Sequence, residues 1–355
     1  MDLGARSYEI HIGTALLEQL GGLCKERGLS GHCLVVSDAN VDPLYGHRTE
    51  ISLKAAGFSV GRAVVAAGEG SKSERSLSEL YDRALDTGLD RQSFIVALGG
   101  GVVGDLAGYA AATFLRGIRY VQVPTSLLAM VDSSVGGKTG INLRQGKNLV
   151  GAFHQPALVV TDTDTLKTLP PREYISGLAE VVKHGAIRDA AFFSDLESHI
   201  EDLTACGPAF MDAVIGRCCE LKAEIVRLDE RESGLRAILN FGHTFGHAIE
   251  RVAGYGRYFH GDAVSMGMAV AGWVSVGQKG LPERDSARLN DLLHRLGLPI
   301  EMPDCAWADV RKAMRFDKKA AGQVPRFVLL EKLGHAVPGC EVPEDALKEA
   351  WKKYS

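Results

Sequence analysis

Three histidines and their spacing are the first place to look for chemistry in this sequence. Asn240-Phe-Gly-His243-Thr-Phe-Gly-His247 sets two imidazoles one helical turn apart, and His260-Gly-Asp262 brings a third just beyond. Neutral imidazole is the commonest protein ligand for zinc. The spacing resembles the HExxH of zinc proteases, but Thr244 stands where that motif needs its general-base glutamate. A metal held here would therefore not activate water for peptide hydrolysis. The plainer alternative is one or two satisfied histidines on a buried helix face.

A second constellation is built on glycine. Gly99-Gly-Gly101-Val-Val-Gly104-Asp105 follows an apolar run and opens a helix, where bare backbone N–H groups can cradle a pyrophosphate. The positions fit GxGxxG. They depart from the usual dinucleotide fingerprint, because the motif follows a later strand and lacks an acid about twenty residues on at a strand end. Asp38, closing the first apolar run, is a better candidate for a ribose hydroxyl acceptor. A tight glycine turn that lets a helix pack closely is the structural alternative. Gly68-Glu69-Gly-Ser-Lys72 is a further loop whose charges could reach a nucleotide, or a solvated turn.

Cations form the third group. Gly137-Lys138-Thr139 resembles the end of a Walker A loop, but the first glycine of that motif would fall on Asp132, so the reading fails. Gly146-Lys147-Asn148 lies in the same glycine-rich stretch, Gly136 to Gly151, which reads as too irregular for a core element. In Gly177-Leu-Ala-Glu180-Val-Val-Lys183-His184-Gly185, Glu180 and Lys183 are three apart and share one face of an otherwise apolar helix. Lys222 lies on a helix, and Arg236 precedes Asn240 and His243 beside apolar Ala237-Ile-Leu239. A charge in such surroundings must be paired, since stranding it costs roughly 3–5 kcal/mol. Any one of these lysines could sit on a solvated face. Together, Lys138, Lys147, Lys183, Lys222 and Arg236 suggest a pocket for a small polyanion beside a metal and a nucleotide.

The elements that would position these groups change character along the chain. Cys33–Ser37, Phe94–Leu98 and Arg119–Val123 are continuous apolar runs, separated by helical stretches such as Ser73 to Thr87. That alternation indicates buried parallel strands in an α/β domain. Val159-Val160 close this half, and Thr161 to Pro171 reads as a linker. Beyond it, Glu173–Ile187, Ala209–Asp229, His243–Ala253, Ala263–Gln278 and Glu283–Leu296 carry helical periodicity, and a short hairpin follows at Arg326–Leu330 and Gly334–Val337. The expected division is 1–165, a Rossmann-like α/β parallel-sheet domain, and 166–355, a mainly α-helical one. With 355 residues, 46% hydrophobic and 24% charged, the chain can bury a real core. A net charge of −4 argues against a general nucleic-acid binder. There is no signal pattern at the N-terminus and no uncharged run long enough for a membrane. Seven scattered cysteines without a CxxC pair read as reduced thiols in a cytoplasmic protein.

With these residues assembled, the chain closely resembles the 3-dehydroquinate synthases, members of the sugar phosphate cyclases. The similarity runs from Ser37-Asp38-Ala-Asn40 to Asp317-Lys318-Lys319. It is carried by Gly-Gly-Gly-Val-Val-Gly-Asp, Asp-Ser-Ser-Val-Gly-Gly-Lys-Thr-Gly, Gly-Lys-Asn, Glu-Val-Val-Lys and Asn-Phe-Gly-His-Thr-Phe-Gly-His. The resemblance implies tightly held NAD, a divalent metal (zinc or cobalt) and a homodimer. It implies Glu180, His243 and His260 as metal ligands. For NAD it implies Asp38, Asn40, Glu69, Lys72, Gly100, Gly101, Asp105, Thr125, Ser126, Thr168 and Leu169. Lys138, Lys183, Arg236, Asn240 and His247 match catalytic positions, and Asp132, Lys147, Asn148 and Lys222 match the rest of the substrate pocket. Arg116 looks like the residue that reaches a neighbouring subunit's site, and Lys318 or Lys319 should bind substrate phosphate. Asp262 stands where glutamate is more usual after His-Gly, which bears on the surroundings of His260 rather than on the ligand itself.

The implied activity is a carbon–oxygen lyase acting on a phosphate, 3-deoxy-D-arabino-heptulosonate 7-phosphate, to give 3-dehydroquinate. Transient oxidation by NAD, β-elimination of phosphate, re-reduction and an intramolecular aldol closure would follow in turn. The Arg236/Asn240 pair and Lys222 favour a substrate bearing a carboxylate. Another sugar phosphate cyclase shares most of this framework. A metal-dependent polyol dehydrogenase would instead accumulate NADH, and a non-catalytic NAD-binding protein would leave Glu180, His243 and His260 unexplained.

Overall fold

In the computed structural model, which describes residues 1–254, 256–316 and 325–355, the apolar runs of the first half pair side by side in one parallel sheet. Along the chain these strands are β1 (Glu9–Gly13), β2 (His32–Asp38), β3 (Ser59–Val65), β4 (Phe94–Gly99) and β5 (Arg119–Pro124). Next, β6 (Lys138–Leu143) and β7 (Gly146–Phe153) form a separate antiparallel ribbon, and β8 (Leu158–Asp162) returns to the sheet. The strand order is β1-β8-β5-β4-β2-β3. The ribbon corrects the reading of Gly136 to Gly151 as irregular: its glycines dilute the β-branched pattern without preventing pairing.

Alternate side chains of the central strands enter two different cores. Cys33, Val35, Phe94, Val96 and Leu98 face α1 (Leu20–Glu26) and α2 (His47–Ala55), through Leu20, Cys24 and Leu53. Leu34, Val36, Ile95 and Ala97 face α3 (Glu74–Asp86) and α4 (Gly101–Thr113), through Leu80, Ala84, Val103 and Leu106. A sheet covered on both faces explains why its strands read as unbroken apolar runs. β2 leads to β3 on one side while β4 leads to β5 on the other, so the strand order reverses between β2 and β4. In open α/β sheets, the crevice at such a reversal, at the carboxyl ends of the strands, is where ligands bind.

This α/β unit comprises Met1–Leu169 and also takes in Pro208–Ala223. The second unit comprises Pro170–Gly207 and Glu224–Ser355. Its helices are α5 (Pro171–Arg188), α6 (Ala190–Ser198), α7 (Ile200–Ala205), the end of α8 (Pro208–Leu228), α9 (His243–Ala253), α10 (His260–Lys279), α11 (Glu283–Arg295) and α12 (Trp307–Phe316). The hairpin β9 (Phe327–Lys332) and β10 (His335–Cys340) and a final helix α13 (Glu344–Tyr354) complete it. Phe245, Ile249, Met266, Val270, Val310, Phe327, Leu329 and Trp351 share one core. Lys318 and Lys319 lie outside the described residues. None of the seven cysteines is disulfide-bonded. Among the described residues no helix is long and apolar enough to cross a membrane.

Two glycines set how closely α10 lies on its neighbours. A Cβ at Gly261 would stand 1.9 Å from the Ser176 carbonyl oxygen on α5, and one at Gly267 1.9 Å from the Gly242 carbonyl oxygen just before α9. Only a hydrogen fits at either place, so backbone meets backbone. The Gly261 N–H also donates to Ser176 Oγ at 2.9 Å, tying the first turn of α10 to α5. Gly261→Ala should destabilise the protein by about 1–3 kcal/mol, the usual cost of overpacking. Gly277→Ala, at an exposed position of α10 with nothing within 4 Å, should be neutral or stabilising by up to about 1 kcal/mol. Urea-unfolding midpoints compare the two, and equal midpoints would contradict the close-approach argument.

Candidate metal centre and nucleotide site

Glu180 lies mid-way along α5, while His243 and His260 are the first residues of α9 and α10. Glu180 is fully buried, and its Oε1 stands 3.5 Å from His243 Nε2 and 3.6 Å from His260 Nε2. One ligand atom from each residue lies within 4.8 Å of the others. Two imidazole nitrogens and one carboxylate oxygen make the donor set of a catalytic zinc site, which keeps a coordination position open. A carboxylate buried this deeply needs compensating positive charge. Lys183, one turn along α5, pairs with Glu180 Oε2, and a divalent ion at Oε1 fits the same requirement.

The protonation of each ring follows from its surroundings. His243 Nδ1 lies 3.1 Å from the Phe241 carbonyl oxygen, which can only accept, so Nδ1 carries the proton and Nε2 presents its lone pair. Burial, reinforced by the Lys183 ammonium, depresses His243 to about 3 and keeps it in the neutral form that a metal requires. Burial also disfavours charge on His260, but the Glu180 and Glu250 carboxylates outweigh it and raise that ring to about 9. A metal at Nε2 would compete with this proton. Asp262 sits one turn into α10. Its Oδ2 accepts the Phe259 N–H at 3.2 Å and pairs with Arg172 Nη2 at 2.8 Å, so it caps the helix that His260 opens. The His247 ring meets that of His243 edge-on at 5.4 Å.

Arg236, nearly inaccessible to solvent, is held by a turn that residue spacing did not reveal. Asp229 accepts from the Ser233, Gly234 and Arg236 N–H groups at 2.8, 2.7 and 2.9 Å and from Ser233 Oγ at 3.0 Å. Those backbone donors hold its carboxyl far below the usual range. The Arg236 guanidinium donates in turn to the Glu230 carbonyl. Asn240 Nδ2 donates to Glu232 Oε1 at 2.8 Å, and Glu232 itself takes a positive φ of 58°. Neither Asp229 nor Glu232 carries a spacing signal, because both act from a turn.

In the α/β unit, Asp38 ends β2 and Gly99 ends the adjacent β4, so the acid and the glycine turn flank the strand reversal. Asp38 Oδ1 accepts the Asn40 and Val41 N–H groups at 2.8 and 3.1 Å. Thr125 N–H donates to the Gly99 carbonyl at 3.0 Å, and Ser126 Oγ would lie 3.4 Å from a Cβ on Gly100. Thr168 Oγ1 pairs with the Tyr45 hydroxyl. Leu169 follows Thr168 at the end of this unit's first segment. Buried Lys72 contacts Asp105 Oδ2 and Asn148 Oδ1, each at 2.5 Å, with Glu69 at 3.9 Å. Asn142, which the sequence reading missed, joins this cluster by donating to Glu69 Oε1 at 2.7 Å and accepting the Asn148 N–H at 2.8 Å. Lys222 Nζ donates to Asp132 through the backbone oxygen at 2.6 Å and Oδ1 at 2.5 Å. Lys138 opens β6, and Lys147 lies near the start of β7, beside Asn148 at a φ of 55°. Arg116 is exposed, at a φ of 72° in the turn after α4.

These parts, a glycine turn at a sheet reversal in one unit and a two-histidine, one-carboxylate set in the other, are those of a nucleotide- and metal-dependent enzyme. Residues 62–176 match the family described as 3-dehydroquinate synthase N-terminal, and residues 177–320 the one described as 3-dehydroquinate synthase C-terminal. The 3-dehydroquinate synthase of Geobacter metallireducens is 50% identical over 332 residues, 94% of this chain and 92% of that protein. The solved 2-epi-5-epi-valiolone synthase of Streptomyces hygroscopicus subsp. jinggangensis, with NAD+ and Zn2+ bound, superposes with a TM-score of 0.89 at 30% identity, covering 100% of this chain and 98% of that one. A 2-deoxy-scyllo-inosose synthase complexed with carbaglucose-6-phosphate, NAD+ and Co2+ gives 0.89 at 27% identity, over 98% and 97% of the two chains. The chain belongs to the 3-dehydroquinate synthase family.

The turn that holds Arg236 should show in the acid stability of the protein. A folded carboxyl held below its unfolded value of about 4 contributes stability that is complete above that pH and lost as pH falls through the folded value. Asp229→Asn should therefore be less stable than wild type at pH 7, with the gap closing progressively below pH about 4. Denaturant midpoints across pH measure this, and a gap unchanged down to the acid limit would contradict it.

Proposed function

We propose that the chain converts 3-deoxy-D-arabino-heptulosonate 7-phosphate to 3-dehydroquinate and inorganic phosphate, using NAD and a divalent ion, zinc or cobalt. The observation that carries this is 50% identity over 94% of the chain to a named 3-dehydroquinate synthase, against 27–30% to cyclases named for other products. When bound, NAD supplies a hydride acceptor that later returns the hydride, and the divalent ion supplies a Lewis acid for adjacent hydroxyls.

Glu180, His243 and His260 hold the ion. The ribose hydroxyls fall to Asp38 and Asn40, and the rest of NAD to Glu69, Lys72, Gly100, Gly101, Asp105, Thr125, Ser126, Thr168 and Leu169. The cations Lys138, Lys147, Lys183, Lys222 and Arg236 answer the two anionic groups of the substrate, while Asp132, Asn148, Asn240 and His247 orient it. Lys183 pairs with Glu180, which supports a place for it beside the reacting hydroxyls. Asn240, steadied by Glu232, presents an amide of fixed orientation. One of Lys318 and Lys319 would add a cation for the phosphate, and exposed Arg116 would serve the site of a second copy in a homodimer. The NAD-binding domain is 1–165 and the metal- and substrate-binding domain 166–355, with Thr168 and Leu169 reaching NAD from the first residues of the second. Seven cysteines, none in a disulfide, support a reducing, cytoplasmic setting.

The test is inorganic phosphate release from the heptulosonate phosphate with NAD present and absorbance at 340 nm followed. Phosphate should appear stoichiometrically with product and without net NADH. Steady NADH accumulation, or phosphate release only from sedoheptulose 7-phosphate or glucose 6-phosphate, would contradict the reading.

A further inference from the structure

One buried acid near the three histidines is not used by the reaction as derived. Glu250 lies on α9, two turns after His243 and one turn after His247, so all three share a face of that helix. It is buried, and its Oε1 stands 3.8 Å from His260 Nδ1. The two nitrogens of His260 thus face two different carboxylates, Glu180 across Nε2 at 3.6 Å and Glu250 across Nδ1. His247, Glu250 and His260 also form a second group whose ligand atoms lie within 4.8 Å of one another.

These facts allow Glu250 to be a ligand of a second ion or the outer partner of a ligand to the first. The chemistry of one imidazole separates the two. A neutral ring has a single lone pair, so if Nε2 ligates, Nδ1 carries the proton and can only donate. His260 then cannot also ligate through Nδ1, and a carboxylate facing that N–H is an acceptor. We infer that Glu250 is a positioning residue: it takes the Nδ1–H of His260, fixes the tautomer and ring orientation, and so aims Nε2 at the metal. This rests on the reading of Glu180, His243 and His260 as the metal ligands. The 3.8 Å separation exceeds a direct hydrogen bond, and a small ring rotation closes it. His243 has the equivalent support from the Phe241 carbonyl. Because α9 carries both His243 and Glu250, a single helix orients two ligands, one directly and one through its partner.

The experiment titrates full-length, metal-stripped protein with zinc against a chromophoric chelator and records the visible spectrum of the cobalt-substituted form. Wild type should bind one zinc per chain. Glu250→Gln should raise the zinc dissociation constant by about 10- to 100-fold, the usual effect of losing an outer-shell partner, and alter the cobalt bands. Glu250→Asp, which keeps the charge on a shorter stem, should fall between the two and decides the matter should the glutamine variant fail to fold. Unchanged affinity and spectrum in these variants, with wild type binding one zinc, would overturn the role of Glu250 alone. Two zinc ions per wild-type chain would overturn it by making Glu250 a ligand. No zinc binding by wild type would overturn the metal centre and this role together.

Discussion

The helical unit depends on one steric condition: where α10 crosses α5 and the start of α9, only a hydrogen atom fits between the backbones. Gly261 meets the Ser176 carbonyl and Gly267 the Gly242 carbonyl at separations no methyl could occupy. Because of that contact, donors that are 63 and 17 residues apart in the chain, on Glu180, His243 and His260, converge within 4.8 Å. Side-chain packing alone would hold helices some 8–10 Å apart with ordinary residues between them. The glycine contacts bring three helix starts and faces close enough for short side chains to share one ion. The same closeness explains the buried Glu180 carboxylate, which is tolerable only where cations and imidazoles surround it.

The α/β unit relies on a different device, buried lysines that tie loops to regular elements. Lys72 joins the helix that follows the glycine turn, through Asp105, to the β6–β7 ribbon, through Asn148. Lys222 fastens the turn at Asp132 to α8. Removing one partner of such a pair leaves a buried charge and typically costs 3–5 kcal/mol, whereas the pair itself adds little net stability. Their value is therefore geometric. They fix the Lys72 loop against α4 and β7 and the Asp132 turn against α8, and they do so with the same residues proposed to meet NAD and substrate.

Much of this was legible in the sequence, for reasons that can be named. Strands β2, β4 and β5 were readable because both faces are covered, so apolar residues run consecutively through them: Cys33–Val36, Phe94–Leu98 and Tyr120-Val121 with Val123. The helix His243–Ala253 was readable to its last residue, since a glycine stands at each end. Glu180 and Lys183 were paired by their three-residue step. The strands β1 and β3 lie at the edges of the sheet, half exposed, and their mixed composition hid them. The β6–β7 ribbon was hidden by its glycines. Asp229, Glu232 and Asn142 act through backbone and side-chain bonds inside turns, and residue type alone does not mark such a position. Glu250 was within reach, because its seven-residue step from His243 puts it on the same helix face. The proposal of His243 rather than His247 as a metal ligand rests on the family resemblance, since the histidine spacing by itself left the two equivalent.

Everything proposed for the helical unit requires that Glu180, His243 and His260 together bind one divalent ion. X-ray absorption at the zinc edge of the loaded protein tests it most directly, because scattering from imidazole rings and from sulfur is distinguishable. Two imidazole nitrogens should appear at about 2.0–2.1 Å, with the remaining scatterers oxygen and none at the roughly 2.3 Å of a zinc–sulfur bond. A thiolate in the shell, or a single imidazole, would contradict it.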